Sequence, residues 1–196
     1  MFIILAMKKK LILFISVMAF FSLDAQEKKE RKSIVRLYAQ TGFQFLQNEQ
    51  LRLNYNTNAT FFWGFGFQFG KPEDAAVIPF VHYSSSVYNL QKKLPGNQLA
   101  DSSLSMRQVN FGLNFPLIRH DDFLLKAIVG YTYGTIKESF YEINSPANGC
   151  LIGLGLERTV FVNSRISFDL SYHYQKTKTV DFRDFDVVKL GIGFYF

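Results

Sequence analysis

Three arrangements in the 196 residues carry side chains of the kind that chemistry uses. His120, Asp121 and Asp122 set an imidazole beside two carboxylates, the donor types of a metal site. GFGFQFG at 64–70 and GLGLE at 153–157 have glycines of the sort that cradle phosphate, and Cys150, His82 and His173 offer a thiol and two imidazoles. Each fails on spacing or setting. The acidic triplet falls in a short polar connection, where such residues are ordinary turn formers. Neither glycine run fits G-x-G-x-x-G followed by a helix. The histidines are far apart in sequence, no elbow motif accompanies a serine, and Cys150 reads as a small hydrophobe. Asn58-Ala-Thr60 matches the N-glycosylation sequon, a three-residue match that carries no weight by itself. The reading is therefore of no catalytic residue, no metal ligand and no cofactor.

The elements that hold these residues are strands. Phe (22) and Tyr (10) are abundant and Pro (5) is scarce, a usage that favours sheet. From residue 33 onward apolar side chains recur at every second position, which places them on one face of a strand. The pattern appears over 33–46, 57–70, 76–88, 104–117, 123–134, 150–160, 165–175 and 187–196. In the second segment Phe61, Trp63, Phe65, Phe67 and Phe69 oppose Gly64, Gly66, Gln68 and Gly70. In the last, Val188, Leu190, Ile192, Phe194 and Phe196 oppose Lys189, Gly191, Gly193 and Tyr195. The third segment is the least regular, because Pro79 cannot donate to a ladder. Val77, Val81, Tyr83 and Val87 make its better apolar face.

Connections at 47–56, 89–103, 135–149 and 176–185 are long and polar, whereas 71–75, 118–122 and 161–164 are short. Eight strands with long loops at one end and tight turns at the other predict an all-β chain, an eight-stranded antiparallel up-and-down transmembrane β-barrel. Closure leaves no unpaired edge in lipid. The greasy face would meet the bilayer, with Trp63, Tyr83, Tyr131, Tyr133, Tyr172 and Tyr174 forming aromatic girdles and the last four lying at the long-loop ends of their strands. Arg36, Lys126, Glu157, Asp169, His173 and Lys189 would face a narrow, largely polar and plugged lumen. Glu157 and Asp169 would take a cation from Arg36 or Lys189. The inward glycines make room in an interior that eight strands leave just wide enough to fill.

Residues 1–25 read as a cleaved signal peptide, with Lys8, Lys9 and Lys10 before the apolar run at 11–21 and Ala25 at a plausible cleavage point. Met7 is an alternative start. The barrel domain would then be 26–196, exported and not lipid-anchored. Losing Lys8, Lys9, Lys10 and Asp24 lowers the net charge from +6 to +4. No basic stripe points to nucleic acid.

The DAQ ending of the signal, the repeated strand texture and the aromatic terminus VVKLGIGFYF together resemble the small eight-stranded outer-membrane β-barrels of the Bacteroidota. That group includes PorT-like proteins and is similar in layout to OmpX and the OmpA barrel. The resemblance covers about residues 26–196. It implies an outer-membrane location, a bilayer as the surrounding solvent and a sorting role for the last strand. Ile192, Phe194 and Phe196 would be the face that the outer-membrane assembly machinery recognises, with Tyr195 on the lumen side. The expected function is a structural or interaction barrel serving envelope integrity, surface binding or assembly of an export machine, with envelope proteins as partners. A small pore for ions or solutes is the second reading. A secreted lipocalin-type lipid-binding barrel, which would turn the greasy face inward, is the third.

Overall fold

The structure is a computed structural model, and it describes residues 35–47, 59–70, 75–93, 99–120, 122–139, 142–161, 164–177 and 184–196. The signal segment 1–25, the mature start near Gln26, Asn58 and Asp121 lie outside the described residues. Eight strands follow one another: β1 (Val35–Leu46), β2 (Ala59–Phe69), β3 (Ile78–Lys93), β4 (Leu99–Arg119), β5 (Phe123–Glu138), β6 (Ile143–Phe161), β7 (Ser164–Thr177) and β8 (Asp184–Tyr195). Each pairs antiparallel with the next, and β8 pairs back to β1 to close the barrel. At the seam Tyr38 lies opposite Tyr195 and Leu46 opposite Val187.

The alternation sorts the faces as the hydrophobic pattern requires. Phe61, Trp63, Phe65, Phe67 and Phe69 of β2 point outward and are exposed, as are Phe111, Ile152, Leu154, Phe168, Leu170, Leu190 and Ile192. Arg36, Gln68, His82, Lys126, Glu157, Asp169 and Lys189 point inward and are buried. A lipocalin-type barrel needs the opposite arrangement, so that reading is overturned: this greasy face looks out.

Three local devices let the strands reach these positions. Pro79 pairs with Leu113 of β4, but the ladder with β2 ends one residue earlier, at Gln68 and Phe80. The proline's missing donor therefore falls where β2 no longer asks for one. Gly70 closes β2 at φ 114°, a conformation that side chains with a Cβ resist. Register shifts at Pro116/Ile118 and Thr159/Phe161 place bulges beside the short turns, where barrel rims commonly carry them.

The strand lengths depart from expectation in one direction. β3, β4, β5 and β6 run to Lys93, from Leu99, to Glu138 and from Ile143, through polar residues that read as loops. β4 alone has 21 residues, about twice the 9–11 that cross a bilayer. Four strands thus continue past the membrane as sheet.

Candidate functional site: a sealed lumen beneath a projecting sheet

The lumen has three layers. Nearest the short turns, Lys126 Nζ donates to Glu157 Oε1 at 2.7 Å and to the Tyr195 hydroxyl at 2.8 Å, with Asp169 Oδ1 3.6 Å away. Arg36 Nη1 stands 3.7 Å from Glu157 Oε2. Asp169 Oδ2 accepts from Gln40 Nε2 at 2.8 Å and from Ser167 Oγ at 3.0 Å. Tyr195 is the hub: Gln68 Nε2 donates to its oxygen at 3.2 Å, Tyr38 stacks on its ring at 5.0 Å, and both Arg36 and Lys126 lie 5.0 Å from its centroid. Gly155 makes the space, since a Cβ there would sit 2.3 Å from Asp169 Oδ1 and 2.4 Å from Lys126 Cε. Two cations meet two carboxylates in one cluster, which offsets much of the cost of taking four charges out of water.

The middle layer is neutral apart from Lys189. Its ammonium donates to Gln108 Oε1 at 2.5 Å and Ser84 Oγ at 3.0 Å, and lies 5.3 Å over the Phe62 ring. Lys189 is therefore not the partner of Glu157 or Asp169; Lys126 is, joined by Arg36. The stagger of the strands sets these heights, and the alternation of side chains carries no record of it. His173 bonds Thr132 through Nδ1 at 3.2 Å and Ser171 through Nε2 at 3.0 Å. Thr132 already donates its one hydroxyl proton to Asn110 Oδ1 at 2.7 Å. So His173 must donate from Nδ1, and the neutral ring, the form that burial favours, accepts from Ser171 at Nε2.

The Ser171–His173 separation is that of a nucleophile and its base. The adjoining cavity, however, is only about 40 Å³, room for about three waters and not for a substrate. Phe80, Ile128 and Leu151 form an apolar cluster at the same depth.

The outer layer adds an apolar part to a lumen that is otherwise largely polar. Leu46, Tyr88, Leu104, Met106, Ile136, Ala147, Phe185 and Val187 pack into one buried apolar cap that closes the mouth of the barrel. Gln44 Nε2 spans the boundary by donating to Met106 Sδ at 3.1 Å. Above the cap Ser102 donates to Glu138 Oε1. Outside the bilayer the wall meets water, so the hydrophobic side of each strand must switch from out to in. In β5 the outward Tyr131 and Tyr133 give way to inward Ile136 and outward Lys137; in β8 outward Leu190 gives way to inward Val187 and Phe185. The switch was present in the sequence and would have located the outer surface of the membrane.

The outward aromatics pack on one another. Tyr83 packs on Trp63 and Phe65 at 5.8 and 5.5 Å, and Tyr131 on Phe111 at 5.4 Å. Tyr174 donates to Asp184 Oδ1 at 3.0 Å, with Lys176 Nζ 5.8 Å from its ring. These tyrosines lie inside longer strands and not at strand ends, because β5 continues to Glu138 and β7 to Thr177.

Beyond the girdle, β3 to β6 form a four-stranded sheet. The β2–β3 ladder begins at Phe62 and Ser86, whereas β3 stays paired with β4 up to Lys93. Among the described residues, Tyr88–Lys93 therefore has a ladder on one side alone. On the far side, β6 meets β7 first at Ala147 and Thr177, so among the described residues Ile143–Pro146 is paired with β5 alone.

The remaining candidates stay apart. His120 stacks on Phe123 at 5.3 Å, and among the described residues no three His, Cys, Asp or Glu side chains converge as metal ligands. Cys150 is exposed on the outer face beside Tyr131 and Tyr174. Ile192 and Phe194 face outward on β8, and the Phe196 amide bonds the Leu37 carbonyl at 2.9 Å.

No curated protein sequence matches the chain. Among solved structures it is similar to Neisserial surface protein A, at TM-score 0.60 and 11% identity over 85% of this chain and 98% of that one. It is also similar to a major outer membrane protein from Thermus thermophilus, at TM-score 0.51 and 9% identity over 84% of this chain and 100% of that one. Likeness at such identity concerns the fold. The family model described as the outer membrane protein beta-barrel domain matches residues 13–196, and this chain, a closed eight-stranded barrel with its apolar face turned to lipid, belongs to that outer-membrane family.

Proposed function

We propose that this outer-membrane barrel is a non-catalytic interaction protein that captures an extended segment of a partner on the open β3 edge of its projecting sheet. The observation that carries this reading is that, among the described residues, Tyr88–Lys93 has a ladder with β4 alone. A strand edge offers a row of amides and carbonyls to any chain that lies beside it. Such capture would serve surface binding, envelope integrity or assembly of a PorT-like export machine. The pore reading finds no support in a lumen closed twice, by the ion cluster and by the apolar cap.

A photo-crosslinking residue at the exposed Gln91 of intact cells should give a discrete protein adduct, and one at Lys137, in the middle of the sheet, should not. Asn89→Pro should abolish the adduct while the unboiled barrel keeps its fast gel mobility. Equal labelling at both positions, or adducts that survive Asn89→Pro, would count against edge capture.

For the terminal strand we propose the sorting role, with Ile192, Phe194 and Phe196 as the outward column read by the assembly machinery. Deleting Phe196 should lower the membrane-inserted fraction several-fold in a fractionation assay without changing the mobility of the molecules that do insert; unchanged insertion would remove the proposal.

A further inference from the structure

Lys189 is the cation the carboxylates leave over. Inside the belt, Arg36, Lys126 and Lys189 face two acids, Glu157 and Asp169, and both acids are held by Lys126 and Arg36. Among the described residues no carboxylate lies within 4.0 Å of Lys189, whose partners are the neutral Gln108 and Ser84. At 4% exposure, an ammonium with only neutral oxygens around it keeps a large uncompensated desolvation cost.

The cavity beside it supplies a remedy. Its volume of about 40 Å³ is bounded by Lys189, His82, His173 and Asn110 and, toward the ion cluster, by the paired Lys126 and Asp169. Donors to spare lie on the Lys189 side, whereas the buried acceptors of the lining without a hydrogen bond, Gln68 Oε1 and Asp169 Oδ1, belong to the ion-cluster side. Asn110 has its carbonyl oxygen taken by Thr132, which leaves its NH₂. Gln108 has its carbonyl oxygen taken by Lys189, and its Nε2 is buried without a partner. His82 is 5% exposed and its Nε2 likewise lacks one. His173 is satisfied as a neutral ring and adds no charge of its own.

We propose that this cavity is a binding site for a single halide-sized monovalent anion, chloride in the cell, held by the Lys189 ammonium with N–H groups of Asn110 and His82. The ion would make the middle layer neutral and would couple barrel stability to the anion present when the barrel folds, because the cap and the ion cluster seal it from both ends.

The test is to refold the full chain into detergent micelles in sodium chloride or in sodium gluconate of equal ionic strength and pH, gluconate being too large for the cavity. The midpoint temperature for loss of the fast-migrating folded form is expected to be several degrees higher in chloride. Lys189→Met should show equal midpoints in the two salts. Independently of that variant, crystals of the unaltered protein grown in bromide should give an anomalous peak beside Lys189 Nζ. Equal midpoints for the unaltered protein together with no bromide peak would show a cavity that holds water alone and would overturn the proposal. A chloride effect that persists undiminished in Lys189→Met would overturn it too, by placing the ion elsewhere.

Discussion

Glu157→Gln is expected to cost the folded barrel about 3–5 kcal/mol, the penalty for breaking a buried ion pair by removing one partner. The side chain is fully buried, 2.7 Å from Lys126 Nζ and 3.7 Å from Arg36 Nη1. Losing its charge leaves two cations facing Asp169 alone in a lumen that water cannot flood. Urea titration of the heat-modifiable form, in vesicles, would show the loss as a lower midpoint. Lys126→Met should be similarly costly alone. The double variant should lose much less than the sum of the two, because each single change has already spoiled the same contact. Additive losses would mean that the cluster is a set of independently solvated charges.

That cluster shows how far the amino-acid pattern reaches. Alternation alone places Arg36, Lys126, Glu157, Asp169, His173 and Lys189 on the inner face, because a period of two admits no other side once the aromatic face of β2 is given to lipid. Which of them touch is a matter of height around the barrel, and height follows from stagger between strands. So Lys126 rather than Lys189 meets the acids, and Tyr195, visible only as the residue outside the sorting column, becomes the centre of the network.

The projecting sheet was hidden for a different reason. Residues 89–93, 99–103, 135–138 and 143–149 are polar, include Pro146, and have little intrinsic preference for sheet. They are strand because the hairpins they extend are already zipped below them, so each added pair continues a ladder with its register fixed. The apolar cap did leave a trace, in the parity switch at Tyr88, Met106, Ile136 and Val187. A reading that expects one greasy face per strand passes over it, since these residues sit on the side reserved for polar groups.

The cap supplies the second large effect. Phe185→Ala should destabilise the barrel by about 3–5 kcal/mol, the range for truncating a fully buried phenylalanine. Phe185 has no exposed surface and packs among Leu46, Tyr88, Leu104, Met106, Ile136, Ala147 and Val187, on a wall too stiff to collapse around the gap. Yet the same variant should remain silent in planar bilayers. The cap and the ion cluster close the lumen in series, one by excluding water from an apolar plug and the other by filling the bore with paired charges and the Tyr195 ring. An ion that passed the weakened cap would still meet Lys126, Glu157, Asp169 and Tyr195 at hydrogen-bond contact. A midpoint shift without current is therefore the expected pair of results. Steady open-channel current from Phe185→Ala would show that the cap alone seals the barrel, and a stability loss below about 1 kcal/mol, far short of the usual cost of such a truncation, would show that the cap is not packed as a core.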